Sequence, residues 1–84
     1  MKMEEAIRKL TEAYINNKCK YDVSLEFRSR GTPIDLFVHK NDGIQVKSCT
    51  YLSIYTEDRN MEEKLNEMLD VLSGRVDPFE VIDS

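Results

Sequence analysis

Apolar residues recur along the first seventeen positions at three- and four-residue spacing: Met3, Ile7, Leu10 and Tyr14, with Ala6 and Ala13 beside them. Such spacing lays one apolar stripe along a helix and predicts α-helix over about residues 3–17. Asn16 and Asn17 compete with helical backbone bonds and suit its end. The period then changes to two. Tyr21 to Arg28 alternate apolar and polar without a break, which predicts a half-buried strand. Residues 29–32 read as a turn, and Pro33 is tolerated at the start of the next strand.

In that second strand Ile34, Leu36 and Val38 share one face, and Asp35, Phe37 and His39 the other. A turn at Lys40–Gly43 follows, with Gly43 supplying a left-handed backbone position. The third strand runs from Ile44 to about Tyr55. Unbroken alternation sets Ile44, Val46, Leu52 and Ile54 on its apolar face. Gln45, Lys47, Cys49, Tyr51, Ser53 and Tyr55 then take the opposite face. Paired strands must match apolar faces, so the expected hairpin loop is Asn41-Asp42-Gly43, with Val38 opposite Val46 and Phe37 opposite Lys47.

Asn60 has the character of an N-cap, and Glu63 stands three residues on, the spacing of a capping box. Met61, Leu65, Met68, Leu69 and Leu72 form the stripe of a second helix, about 61–73, closed by Gly74. Phe79 to Ile82 could add a short C-terminal edge strand or pack as a tail. The fold class expected is α+β, a two-layer helix–three-stranded antiparallel sheet–helix (αβββα) in a single domain, 1–84. Ile7, Leu10, Val23, Leu25, Leu36, Val46, Leu65 and Leu69 are the core expected of it. The other sheet face would be open and would display Asp35, Phe37, His39, Gln45, Lys47, Tyr51 and Tyr55.

Composition narrows the function classes. Hydrophobic residues at 40% and charged residues at 33% fit a globular chain. No apolar run is long enough to span a membrane, and the start resembles no signal peptide, so a cytoplasmic location is expected. Cys19, Cys49 and a single His39 cannot furnish a tightly spaced zinc site; reduced thiols and no metal or other cofactor are the expectation. The net charge of −4 is uneven: residues 18–48 carry six bases against four acids, whereas residues 49–84 carry three bases against nine acids. Direct nucleic-acid binding normally needs a basic footprint and is not expected. An acidic surface suits a basic protein partner, with Asp42, Glu57, Asp58, Glu62, Glu63, Glu67 and Asp70 as its residues. Tyr51 and Tyr55 offer a second binding candidate if the sheet face is open; if the third strand curls over a helix, both are buried instead.

The segment from Gly31 to Lys47, containing Asp35, Gln45 and Lys47, resembles the hairpin motif of the PD-(D/E)xK nucleases, most nearly their Mrr-like branch. That resemblance implies a metal-binding Asp35, Gln45 in the motif's acidic position, and a Lys47 that orients water, with Glu4 or Glu5 as a further acid. It requires Asp35, Gln45 and Lys47 to share one face. In size, charge and element order the chain also resembles small acidic phage inhibitors such as anti-CRISPR proteins, which offer acidic side chains in place of DNA. The element order is shared with double-stranded-RNA-binding domains too, but Glu62 and Glu63 stand where those carry bases. The expected function is a small acidic protein-binding module, an inhibitor from a mobile element, with a degenerate nuclease domain as the alternative.

Overall fold

A computed structural model describes residues 2–28, 33–41, 43–44 and 46–82. Helix α1 spans Met3–Ile15, followed by strands β1 (Asp22–Phe27), β2 (Ile34–Asn41) and β3 (Val46–Ile54). Helices α2 (Met61–Leu72) and α3 (Pro78–Ile82) are the last elements among the described residues. The sheet is antiparallel in the order β1-β2-β3, so successive strands are neighbours. No helix among the described residues is long and apolar enough to cross a membrane.

The α+β layering follows from where each apolar stripe can be covered. Ala6 and Leu10 of α1 and Met61, Leu65, Met68, Val71 and Leu72 of α2 are buried with Ile34, Leu36, Val38 and Ile54 of the sheet. Ile7, Val23, Leu25 and Leu69 pack against this core while keeping partial exposure. Both stripes face one side of the sheet, as burying two amphipathic helices on one surface requires. The α1 helix stops two residues earlier than its spacing suggests. Asn16 and Asn17 turn their side-chain amides back to the carbonyls of Glu12 and Tyr14 and satisfy them there.

At the end of α2 the Gly74 N–H donates to Val71 and the Arg75 N–H to Asp70, the paired bonds of a Schellman ending. Gly74 takes a positive φ of 83°, and a Cβ there would sit 2.9 Å from the Lys18 carbonyl oxygen. The Lys18 N–H in turn donates to the Leu72 carbonyl at 2.7 Å. The segment between α1 and β1 is thereby fastened to the end of α2.

The expected capping box is not formed. Asn60 makes no side-chain cap bond, because its backbone sits at φ −105° and ψ 33° rather than in the extended conformation that aims a cap side chain. The C-terminal segment is a helix, not a strand. Asp77 accepts from the N–H groups of Phe79 and Glu80, and Pro78 occupies the first helical position, where its missing N–H costs nothing.

The hairpin register departs from strict alternation. Asn41 lies opposite Val46, Lys40 opposite Lys47 and Val38 opposite Cys49, whereas Leu36 lies opposite Leu52 and Ile34 opposite Ile54. Phe37 pairs with Thr50, which leaves Tyr51 as the extra residue of a bulge. The bulge flips the parity of β3, so Cys49 and Leu52 both face the helices. Expected pairs Val38–Val46 and Phe37–Lys47 do not occur, and Val46 leaves the expected core, 72% exposed. The loop is one residue longer than expected. Within it the Gly43 N–H donates to the Asn41 side chain, and Gly43 has φ 86°.

Candidate functional site

Three constellations hold the chemistry-bearing side chains. The first lies on the sheet face away from the helices. There β1, β2 and β3 contribute Glu26, Asp35 and Ser53 to one row, Ser24, Phe37 and Thr50 to the next, and Asp22, His39 and Ser48 to the third. Asp35 is buried, with 5% of its surface exposed. Its carboxylate accepts from the Ser53 hydroxyl at 2.6 Å and stands 3.5 Å from the Arg28 Nε. Arg28 also bonds Glu26 at 3.0 Å, so one guanidinium bridges the two carboxylates of this row. Glu26 and Asp35 together hold the Arg28 proton more tightly than usual, the Glu26 bond contributing most.

The nuclease-like arrangement of Asp35 and Lys47 is not assembled. Lys47 pairs with Lys40 on the helix side of the sheet, and Asp35 faces the other way. Gln45 lies outside the described residues. Glu4 and Glu5 are on α1, across the sheet from Asp35, and Glu5 stands 4.0 Å from Lys9. Among the described residues no three His, Cys, Asp or Glu side chains converge. The bulge is the physical reason for the split, because it moves the residues before Tyr51 onto the faces opposite to those alternation assigns.

In the third row the His39 ring sits between two hydroxyls, Nδ1 at 2.8 Å from Ser48 and Nε2 at 3.2 Å from Ser24. A neutral imidazole donates to one hydroxyl and accepts from the other. The cross-strand neighbourhood of His39 and Ser24 is legible from β1 and β2. Ser48 is not, since its place depends on the bulge.

A second constellation caps one end of the molecule. Tyr21 and Phe79 meet edge to face with centroids 4.8 Å apart. Lys20 and Lys40 lie over Tyr21, and Lys40 and Lys47 each stand 5.6 Å from the Phe79 centroid. Asp77 joins them, 3.1 Å from the Lys20 Nζ and from the Tyr21 hydroxyl, which donates to it. Burial opposes ionisation of Asp77, but Lys20, the Phe79 N–H, the Tyr21 hydroxyl and the Glu80 N–H outweigh it and lower its pKa. The Asp-Pro pair at 77–78 was the sequence signal for this structure, an N-cap followed by a first-turn proline.

The third constellation is the outer face of α2 with the turn before it. Glu57, Glu62, Glu63 and Glu67 are exposed, and none joins a described ion pair. Asp58 is different. It accepts from the Tyr55 N–H at 2.7 Å and from Lys64 at 2.9 Å, and these bonds, the backbone one foremost, lower its pKa. Asp70 stands 3.8 Å from Arg75. Tyr51 turns toward the helices and packs on the core; burial, with Glu67 and Asp70 nearby, raises its pKa. Tyr55 remains 49% exposed, its ring 5.3 Å from the Lys64 ammonium. Of the residues expected on an open sheet face, Lys47 and Tyr51 are therefore on the helix side.

Compared with known proteins, the chain matches no family model, no curated protein and no solved structure.

Proposed function

We propose that this domain is a non-enzymatic binding module whose acidic α2 face occupies a basic surface of a protein partner, one that otherwise holds nucleic acid, and so inhibits it. The observation that carries this reading is the stripe Glu63, Glu67 and Asp70, spaced four and three residues apart on one helix, with Glu62 and Glu57 beside it. Like charges at these spacings oppose the helix by about 0.2–0.5 kcal/mol per pair. Glu62 and Glu63 lie in the first turn, where the helix dipole favours an acid, but at Glu67 a lysine would remove the penalty without harming helix propensity. The chain retains the unfavourable choice at Glu67, and with Glu57, Glu62, Glu63 and Glu67 outside any described ion pair the charge is available to a partner. Asp58 contributes little to such a surface, because Lys64 and the Tyr55 N–H already hold it.

Affinity capture from a cell extract tests this. The wild-type bait should retain a protein that elutes as salt rises, and the Glu62→Lys, Glu63→Lys, Glu67→Lys bait should not retain it. All three positions are exposed, so the fold should survive and circular dichroism should be unchanged. A partner held equally by both baits, at low and high salt, would overturn the reading.

A further inference from the structure

The sheet has two open edges among the described residues, and they are built differently. β1 carries exposed Asp22 and Glu26, and Arg28 follows it. Charged side chains of this kind are how natural edge strands avoid pairing with other chains. β3 carries a single charged residue, Lys47, whose ammonium is drawn over the Phe79 ring on the helix side, and none from Ser48 to its end at Ile54. Its two halves also differ. Beyond the bulge, Tyr51 turns to the helices, Ile54 is buried and the Lys64 ammonium donates to the Ser53 carbonyl. Before the bulge, Val46, Lys47, Ser48 and Thr50 are all exposed, and Ile44 just ahead of them is 92% exposed. Two large apolar side chains thus stand in water at the head of a strand edge whose one charge, Lys47, is turned to the helix side.

We infer that a second copy of this chain pairs with the Val46–Thr50 half of β3, antiparallel, about a two-fold axis through Ser48. This register follows from the strand itself. Faces match across such a pair only when the axis passes through a residue rather than between two, because side chains alternate with period two. Of the residue-centred registers, the one through Ser48 uses all five residues of the half and none from the loop or the bulge. It sets Val46 opposite Thr50 of the second copy on the outer face, a β-branched cross-strand pair repeated by symmetry. Lys47 falls opposite Cys49 of the second copy, so the two Lys47 side chains meet only on the diagonal. The product is one six-stranded sheet that removes the β3 edge and covers Val46. The contact is self-complementary, as a two-fold interface must be. A five-residue pairing is small, so association is weak and depends on protein concentration.

Sedimentation equilibrium from micromolar to millimolar concentration tests the inference with two double variants at exposed positions. Wild type should dimerise. Val46→Lys with Thr50→Lys places like charges opposite one another twice and should weaken the dimer by at least about tenfold. Val46→Lys with Thr50→Glu places opposite charges there and should restore the dimer to within about threefold of wild type. Unchanged circular dichroism will show that each variant is folded. Amide exchange should slow with concentration along Val46–Thr50 and not along β1. A protein that stays monomeric throughout, or a dimer indifferent to both charge patterns, would overturn the inference.

Discussion

Asp35 shows how one buried carboxylate organises a solvent-facing sheet surface. A charge taken out of water must be hydrogen-bonded or paired, and here Ser53 and Arg28 do both. Ser53 arrives through register, as the cross-strand partner on β3, and Arg28 from the end of β1. Removing one member of such a group is costlier than the group is worth, because the others lose their partner. Asp35→Ala should destabilise the domain by about 1–3 kcal/mol in urea unfolding. Arg28→Ala should cost less, since the arginine side chain is half exposed and water replaces its contacts. Equal losses in the two variants would mean that the ion pair, and not the Ser53 bond, carries the stability. The sequence places Asp35 on the outer face correctly but gives no sign of its burial, which depends on Ser53 and hence on the bulge.

At the scale of elements, what could be read from the chain is what local periodicity controls. The α1 stripe, the alternation of Tyr21–Arg28 and the stripe of Met61–Leu72 each repeat often enough to define their faces, and each forms as expected. The third strand misleads because its apolar residues cluster at its two ends, Ile44 and Val46 against Leu52 and Ile54. One unbroken strand puts all four on one face; a bulge between the clusters lets only the second reach the core. No residue of Lys47–Tyr51 marks the bulge, so the register was not legible, and neither was the separation of Asp35 from Lys47. The C-terminal helix was legible in principle from Asp77-Pro78, but five residues carry too little periodicity to override the strand-like look of Phe79-Glu80-Val81-Ile82. The joint between α1, β1 and α2 turns on Gly74. Gly74→Ala combines a left-handed backbone with a Cβ 2.9 Å from a backbone oxygen, which cannot swing aside as a side chain would. It should lower stability by about 1–3 kcal/mol, seen as a reduced midpoint in thermal melts. A loss no larger than that of an exposed substitution would mean that the Lys18 segment moves freely.

For the whole molecule, acid tests whether its two ends are held by the same physics. Asp58 fastens the turn between β3 and α2, and Asp77 fastens α3 to Lys20 and Tyr21. Both carboxyls have pKa values below the ordinary aspartate range, Asp58 through the Tyr55 N–H and Lys64, Asp77 because its hydrogen bonds outweigh its burial. A carboxyl with a lowered folded pKa binds protons less readily than its unfolded counterpart. Its contribution is therefore complete above the unfolded value, near about 4, and is lost as pH falls through the folded one. Stability should be flat from neutrality to about pH 5 and then fall. Asp58→Asn and Asp77→Asn should each flatten that fall, since the amide cannot titrate, while lowering stability at neutral pH because the bond to the lysine loses its charge. Asp77→Asn should also loosen α3, and with it the Tyr21–Phe79 contact, so tyrosine fluorescence should report its melting ahead of the sheet. Urea midpoints of wild type and the two variants between pH 7 and pH 2 measure both effects; an acid slope unchanged in the double variant would assign the acid sensitivity to other carboxylates.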